Sequence, residues 1–408
     1  MKKMYTTMKS AQRSILTING GSSSIKFALY EIDNTLTQLL CGEIENIGTS
    51  NTRLSFDNSN SDQKSSISID ADDYDNAAIF LIDWLEKQGY FVSVSAIGHR
   101  IVHGMNHTAP ELVTPGLLDE LKKISAYDPD HLPGEIKLME LFRKQYPSLP
   151  QIACFDTAFH TSMPKVAKLL SIPRRYYEMG IHRYGFHGLS YEYLMEELQT
   201  VGGHVTTHGK IILAHLGSGA SLAAVKDGKS IDTSMGFTPT SGLVMGTRVG
   251  DLDPGVAWYL MQAQKLTTVQ FNHLINYESG LLGISETSSD MRELIKLKDT
   301  DSRAAEAIEL FCYQTKKWIG SFAAVLGGLD TLVFSGGIGE NAPEIRSRIC
   351  DGMKFLRIEL DNTRNAKNES IISTDLSKVA VRVIKTNEEL MIGRIVCHVL
   401  NYTIENHN

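Results

Sequence analysis

The stretch that decides the fold lies near the amino end: Ile15-Leu16-Thr17-Ile18, then Asn19-Gly20-Gly21-Ser22-Ser23-Ser24, then Ile25-Lys26-Phe27-Ala28-Leu29-Tyr30. Two β-rich runs flank a turn of small and polar residues, which predicts an antiparallel hairpin. Backbone amides approach an anion closely only where side chains are small, so this turn is also a candidate phosphate cradle beside Lys26. An ordinary hairpin turn would use the same letters. Much later, Lys210 to Val225 reads KIILAHLGSGASLAAV and repeats the design: a β run, a Gly/Ser/Ala turn, a second β run. One half of the chain echoes the other. A duplicated βββαβα-type fold would set the two turns opposite each other across a cleft, each presenting N–H groups to a phosphate chain.

Outward from these hairpins the pattern alternates. Helical periodicity runs from about Asp73 to Gln88, and again from Thr114, where an N-cap threonine precedes Pro115 at the first helical position. Further helices are expected near Gly134 to Gln145, Ser190 to Leu198, Pro254 to Gln264, Arg303 to Leu326 and Asn387 to Tyr402. Strands fall between them, at Ile152 to Phe155, Ile211 to His215 and Thr331 to Phe334. That alternation argues for an α/β protein. The Ser/Asn/Asp-rich stretch from Thr49 to Ile69 reads as an exposed loop with one short strand around Leu54 to Phe56.

Composition narrows the function. With 408 residues and 42% apolar content the chain can build two cores. A formal charge of −7 argues against a general nucleic-acid binder, so any bound anion must be held by local groups. The five cysteines are scattered singly, without CxxC pairs or zinc-like histidine spacing, as in a reduced cytosolic protein. Residues 1–14 are basic and Ser/Thr-rich without the apolar core of a secretory signal, and read as an extension. No apolar run reaches the roughly 20 residues of a membrane helix, so a soluble protein is expected.

Several motifs invite chemistry. Gly228-Lys229-Ser230 resembles the end of a P-loop, but the first glycine of that motif falls on Ala223. Gly337-Ile338-Gly339 with Ala342 fits a relaxed dinucleotide fingerprint too late in the chain for an opening βαβ unit, and reads as a nucleotide-binding turn of another kind. His99 and His103 are four apart but lack the glutamate of a zinc helix, which leaves His103 a hydrogen-bonded structural residue. Between them Arg100 sits among apolar neighbours and needs an anionic partner, which a bound carboxylate or phosphate would supply. Asp156 follows a strand directly, where α/β proteins place catalytic groups; helix capping is the alternative. Arg248 lies in a glycine-rich loop near Asp251 and Asp253, where a surface ion pair is the alternative. His187 closes an aromatic run, Arg183 to Gly188, in which a buried, satisfied histidine would look the same.

Read together, these segments resemble the acetate kinase family of the acetate kinase, sugar kinase, Hsp70 and actin superfamily. The matching runs are NGGSSSIKF from Asn19, GHRIVHG from Gly98, FDTAFH from Phe155, RYGFHG from Arg183, HLGSGAS from His215, DTSMGFTP from Asp232, MGTR from Met245, FSGGIGEN from Phe334 and TNEEL from Thr386. The resemblance implies a duplicated actin-like (ribonuclease H-like) α/β fold with two lobes around a nucleotide cleft. Residues 15–160 with the returning helix 387–404 would form one lobe, and residues 161–386 the nucleotide-binding lobe. It implies ATP-dependent phosphorylation of a short-chain carboxylate, acetate first, with Mg2+ (or Mn2+), in a cytoplasmic homodimer. Asn19 and Glu388 would serve the metal and Lys26 the ATP. His215, Leu216, Gly217, Ser218 and Gly219 would hold phosphates; Asp290, Met291, Arg292, Gly337, Ile338, Gly339, Glu340 and Asn341 the nucleoside. Arg100, Val102, Phe186 and Pro239 would line the acid site, and Asp156, His187 and Arg248 would serve transfer.

The chemistry agrees with such roles. The acceptor is already ionised at neutral pH, so the enzyme's task is charge compensation and in-line positioning, in which Asp156 would orient metal or substrate. The sequence also departs from the family pattern. Ala126-Tyr127-Asp128-Pro129 stands where the family has Leu-His-Asn-Pro. Ala126 implies a roomier acyl pocket; Tyr127 donates a hydrogen bond but carries no positive charge, a role open to His131. Ser218, Val249, Leu189 and Tyr191 also replace usual residues. A propionate or butyrate kinase, a catalytically silent nucleotide binder and a dehydrogenase resting on Gly337 to Ala342 are the competing readings.

Overall fold

A computed structural model of the protein describes residues 13–21, 23–58 and 65–404. The expected extension, residues 1–14, lies outside them but for Arg13 and Ser14, as does Ser22 of the first turn. The chain divides into two compact units, Met1–Ala158 with Asn387–Asn408, and Phe159–Thr386.

In the first unit the opening stretch forms β1 (Arg13–Gly20) and β2 (Ile25–Ile32), paired antiparallel with Asn19 opposite Lys26. The sheet continues through β3 (Leu36–Glu45), β4 (Arg53–Asn58), β5 (Ser65–Ser68), β6 (Val94–Ile101), β7 (Glu111–Leu112) and β8 (Gln151–Phe155), in the order β5-β4-β3-β2-β1-β6-β8-β7. β6 runs parallel to both β1 and β8. Helix Tyr74–Lys87 buries Ala77, Ala78, Leu81, Ile82, Trp84 and Leu85, and its Trp84 packs on Phe27 and Phe56. Helices Pro115–Ile124 and Leu132–Gln145 close a second apolar cluster with Ile101 and Phe155; Thr114 caps the former by accepting from Leu117 N.

The stretch from Thr49 to Ile69 holds two strands, β4 and β5, where composition pointed to a loop with one. Backbone pairing needs no apolar side chains, and every residue of β5 is exposed at the sheet edge, so the polar letters carry no strand signal. Only Leu54 of β4 is buried.

The second unit repeats the plan. Its sheet is β9 (Lys210–Leu216), β10 (Ala220–Lys226), β11 (Lys229–Thr233), β12 (Thr331–Ser335) and β13 (Ala380–Val383), in the order β11-β10-β9-β12-β13. An antiparallel three-strand meander followed by two parallel strands is also the arrangement of β3-β2-β1-β6-β8. The internal echo in the sequence is therefore a repeat of topology. Helix Ser302–Leu326 lies against β9 and β10, capped by Asp301, and ends at Gly327 in the left-handed region. The chain then returns to the first unit as helix Glu388–Val399, which packs on β1 and β6. A side chain at Gly98 would fall 2.4 Å from Ile392 Cγ2 and 2.7 Å from Val396 Cγ2, so this helix rests on a bare patch of β6.

Candidate active site

In the first unit, Asn19, Arg100 and Asp156 stand at or just beyond the carboxyl ends of adjacent parallel strands β1, β6 and β8, where α/β sheets gather functional groups. Arg100 donates to Asp156 Oδ2 from Nη2 at 2.6 Å and from Nε at 3.0 Å, and to Asn19 Oδ1 from Nη1 at 3.1 Å. Asn19 Nδ2 donates in turn to Glu388 at 3.0 Å and Glu389 at 3.1 Å. Glu388 also lies 4.0 Å from Arg100 Nε. Burial opposes the guanidinium charge, but Asp156 and Glu388 more than offset it and raise the Arg100 pKa. The anionic partner that the sequence argument sought in a ligand is thus already in the chain, as the buried Asp156. Burial, then the neighbouring Glu388, push Glu389 above the usual carboxylate range. At Lys26 partial enclosure opposes the charge, yet Glu43, Glu389 and Glu388 raise its pKa.

Glu388 and Glu389 offer hard carboxylate oxygens, the one or two that Mg2+ takes beside substrate phosphates, while the Asn19 amide turns Nδ2 to them and Oδ1 to Arg100. Among the described residues no group of three or more His, Cys, Asp and Glu side chains converges to cage a metal.

In the second unit, the turn between β9 and β10 is closed by Gly217 N donating to Gly219 O at 3.0 Å. His187, held at φ 59°, places Nδ1 2.8 Å from Ser221 Oγ and stacks on His215 with ring centroids 4.3 Å apart. His215 Nδ1 lies 2.8 Å from Ser190 Oγ, which bonds Thr386 Oγ1. A Cβ on Gly219 would sit 3.3 Å from His187 Nε2 and 3.8 Å from Arg248 Nη1, so both side chains border the turn. The MGTR loop is tied to it by Gly246 N donating to Ser218 O at 2.9 Å, while Arg248 Nη1 donates to Pro239 O at 3.2 Å. Gly337 N approaches the same turn, 3.8 Å from where a Gly217 Cβ would stand. His215 to Gly219, Gly337, His187 and Arg248 are thereby brought together.

Some expected contacts have a different environment. The side chains of Leu216, Met291 and Phe186 are buried, and so is Gly339. The Glu340 carboxylate accepts from Gly336 N and Thr386 N at 2.9 and 3.1 Å, bracing the loop from inside. Arg292 is exposed and pairs with Asp290, which caps its own helix. Val102 is buried and donates its amide to Glu135. Sequence reasoning passed over Glu135, Glu389 and Ser221. An acid on the apolar side of helix Leu132–Gln145 marks the first, and the others sit inside motifs already singled out. His103 is buried with Nδ1 accepting from Met105 N, the structural part expected of it.

Residues 14–394 match the model of the acetokinase family. The chain belongs to that family. It is 45% identical over 390 residues to an acetate kinase of Rhodopseudomonas palustris (strain ATCC BAA-98 / CGA009), covering 94% of this chain and 97% of the relative. The crystal structure of Porphyromonas gingivalis acetate kinase superimposes with a TM-score of 0.85 at 36% identity, covering 95% and 100% of the two chains. A propionate kinase from Francisella tularensis subsp. tularensis SCHU S4 gives 0.87 at 38% identity, covering 94% and 98%. This acetokinase chain is therefore a phosphotransferase with a carboxyl group as acceptor, on a duplicated actin-like α/β fold.

Proposed function

We propose that the protein transfers the γ-phosphoryl group of ATP directly to acetate, reversibly, giving acetyl phosphate and ADP. The observation that carries this reading is the half-buried Arg100, held by Asp156 and Asn19 beside Glu388: a fixed cation for an anionic acceptor next to carboxylate oxygens for a metal cation. Arg100 binds the acid carboxylate, and Val102, Phe186 and Pro239 are assigned to the same substrate. Asp156 keeps Arg100 charged and aimed, and orients substrate or metal; it has no proton to remove from an ionised acid. Asn19 and Glu388 hold Mg2+, which offsets charge on the phosphate oxygens when bound. Lys26 and the turn from His215 to Gly219 take the phosphates, with the nucleoside against Asp290–Arg292 and Gly337–Asn341. His187 and Arg248, both bordering Gly219, stabilise charge on the transferring group. A well-placed arginine in such reactions contributes on the order of a thousandfold in rate. Capture of the acyl phosphate as its hydroxamate, with and without Mg2+, tests the reading. Hydroxamate formed equally without ATP or after chelation would refute it.

A second acid is favoured by a specific residue: Ala126, where the family pattern has leucine, supports use of propionate. We further propose a homodimer. Helices Pro254–Ala263 and Thr268–Tyr277 bury none of their residues within the chain and expose Val256, Trp258, Tyr259 and Val269, the last three at 66%, 64% and 77%. Exposed apolar surface of this extent marks an interaction site, and a second copy of the same face would cover it. Sedimentation of a Trp258→Glu variant should show the mass halved; an unchanged mass sinks this assignment. A cytoplasmic, reducing location fits five cysteines that form no disulfide, four of them buried; no helix among the described residues is long and apolar enough to cross a membrane.

A further inference from the structure

The ladder between β6 and β8 ends where Asp156 N donates to Ile101 O at 2.9 Å. Val102 is the next residue and is only 2% exposed, so its amide needs an acceptor from elsewhere. Helix Leu132–Gln145 supplies one. Both carboxyl oxygens of Glu135 lie 3.1 Å from Val102 N. Glu135 is itself 2% exposed, and among the described residues no cation stands at ion-pairing distance from it. Burial holds its pKa well above the ordinary carboxylate value against the opposing pull of Arg100. On its other side, Glu135 Cγ and the Tyr74 hydroxyl both abut Gly20, at 3.5 and 2.5 Å from where a Cβ there would stand. That hydroxyl is buried without a hydrogen-bond partner. The carboxyl is therefore wedged between the first turn and the end of β6.

We propose that Glu135 is a positioning residue for the acid site: it pins the Val102 amide and so fixes the end of β6 from which Arg100 reaches Asp156 and Asn19. The inference rests on Arg100 binding the acid. Val102 follows the end of β6 directly, two residues after Arg100, so a swing of its peptide would carry the Arg100 backbone with it. What the position requires is an acceptor, not a charge. Glu135→Gln supplies an uncharged acceptor, Glu135→Asp withdraws the carboxyl by one methylene, and Glu135→Leu removes it.

Steady-state kinetics for these variants, with acetate varied at saturating MgATP and the converse, test the idea beside Arg100→Lys. Glu135→Gln should keep the acetate KM within about twofold of the parent. Glu135→Asp should raise it about threefold or more and Glu135→Leu about tenfold or more, with the ATP KM unmoved. An acetate KM unchanged in the Asp and Leu variants, or raised as far by Gln as by Leu, overturns the proposal. If Glu135→Leu does not fold, the Asp and Gln variants decide it. An Arg100→Lys variant with an unaltered acetate KM overturns the underlying reading of Arg100 instead; a shifted one beside inert Glu135 variants removes Glu135 alone.

Discussion

Replacing Arg100 by glutamine takes from Asp156, 0% exposed, the cation that lies 2.6 Å from its Oδ2. Charges about 4 Å apart at an effective dielectric of about 20 attract by roughly 4 kcal/mol, and stripping one partner from a buried pair costs about 3–5 kcal/mol. The Asp156 side chain has no solvent exposure and that of Arg100 only 13%, so little of this is screened away. The expected loss in the first unit is therefore about 3–4 kcal/mol, read as a shift in its urea transition. Adding Asp156→Asn to Arg100→Gln removes the stranded charge and should return at least half of the loss. The double-mutant cycle should then show coupling of about 1.5 kcal/mol or more, against the few tenths expected of independent sites. Acetyl phosphate formation should not return with stability, because the cation for the acid is still missing. Single substitutions that add within about 0.5 kcal/mol would refute the argument that Asp156 acts through Arg100.

Three other outcomes follow from the packing within the two units. His99 and His160 are buried and held down to about 4 against an ordinary 6.5, mainly by burial. The folded state thus resists protonation: their contribution is whole above pH 6.5 and is lost as pH falls toward 4, on the order of 3 kcal/mol for each. A urea midpoint flat across that window would contradict this. Gly98→Ala should destabilise by about 1–3 kcal/mol through the clash with Ile392 and Val396; a variant as stable as the parent would mean the helix moves aside at no cost. Propionate should be used within about tenfold of acetate if Ala126 widens the pocket, since a methylene is worth roughly 1–3 kcal/mol; side-by-side kinetics with a strict acetate preference would reject it.

The two hairpins were legible because their β runs and small-residue turns are local signals, and the repeat of topology followed from them. Helix starts at Thr114 and Pro254 were legible for the same reason. The pairing of Arg100 with Asp156 was not, since it joins residues 56 apart, one on β6 and one just past β8, and no local pattern sets the register of those strands. Nor was β5, whose serines hold a ladder without offering an apolar face. Glu340 shows a further limit: its place in a motif gave no sign that its Oε1 accepts from two backbone amides.

The return of helix Glu388–Val399 to the bare patch at Gly98 has a bearing on the order of synthesis. Residues 159–386 form a unit that is contiguous in the chain. The first unit has to wait. Its β6 stays uncovered until the last helix emerges, so the segment made first is completed last, with Ile392 and Val396 as its final apolar contacts.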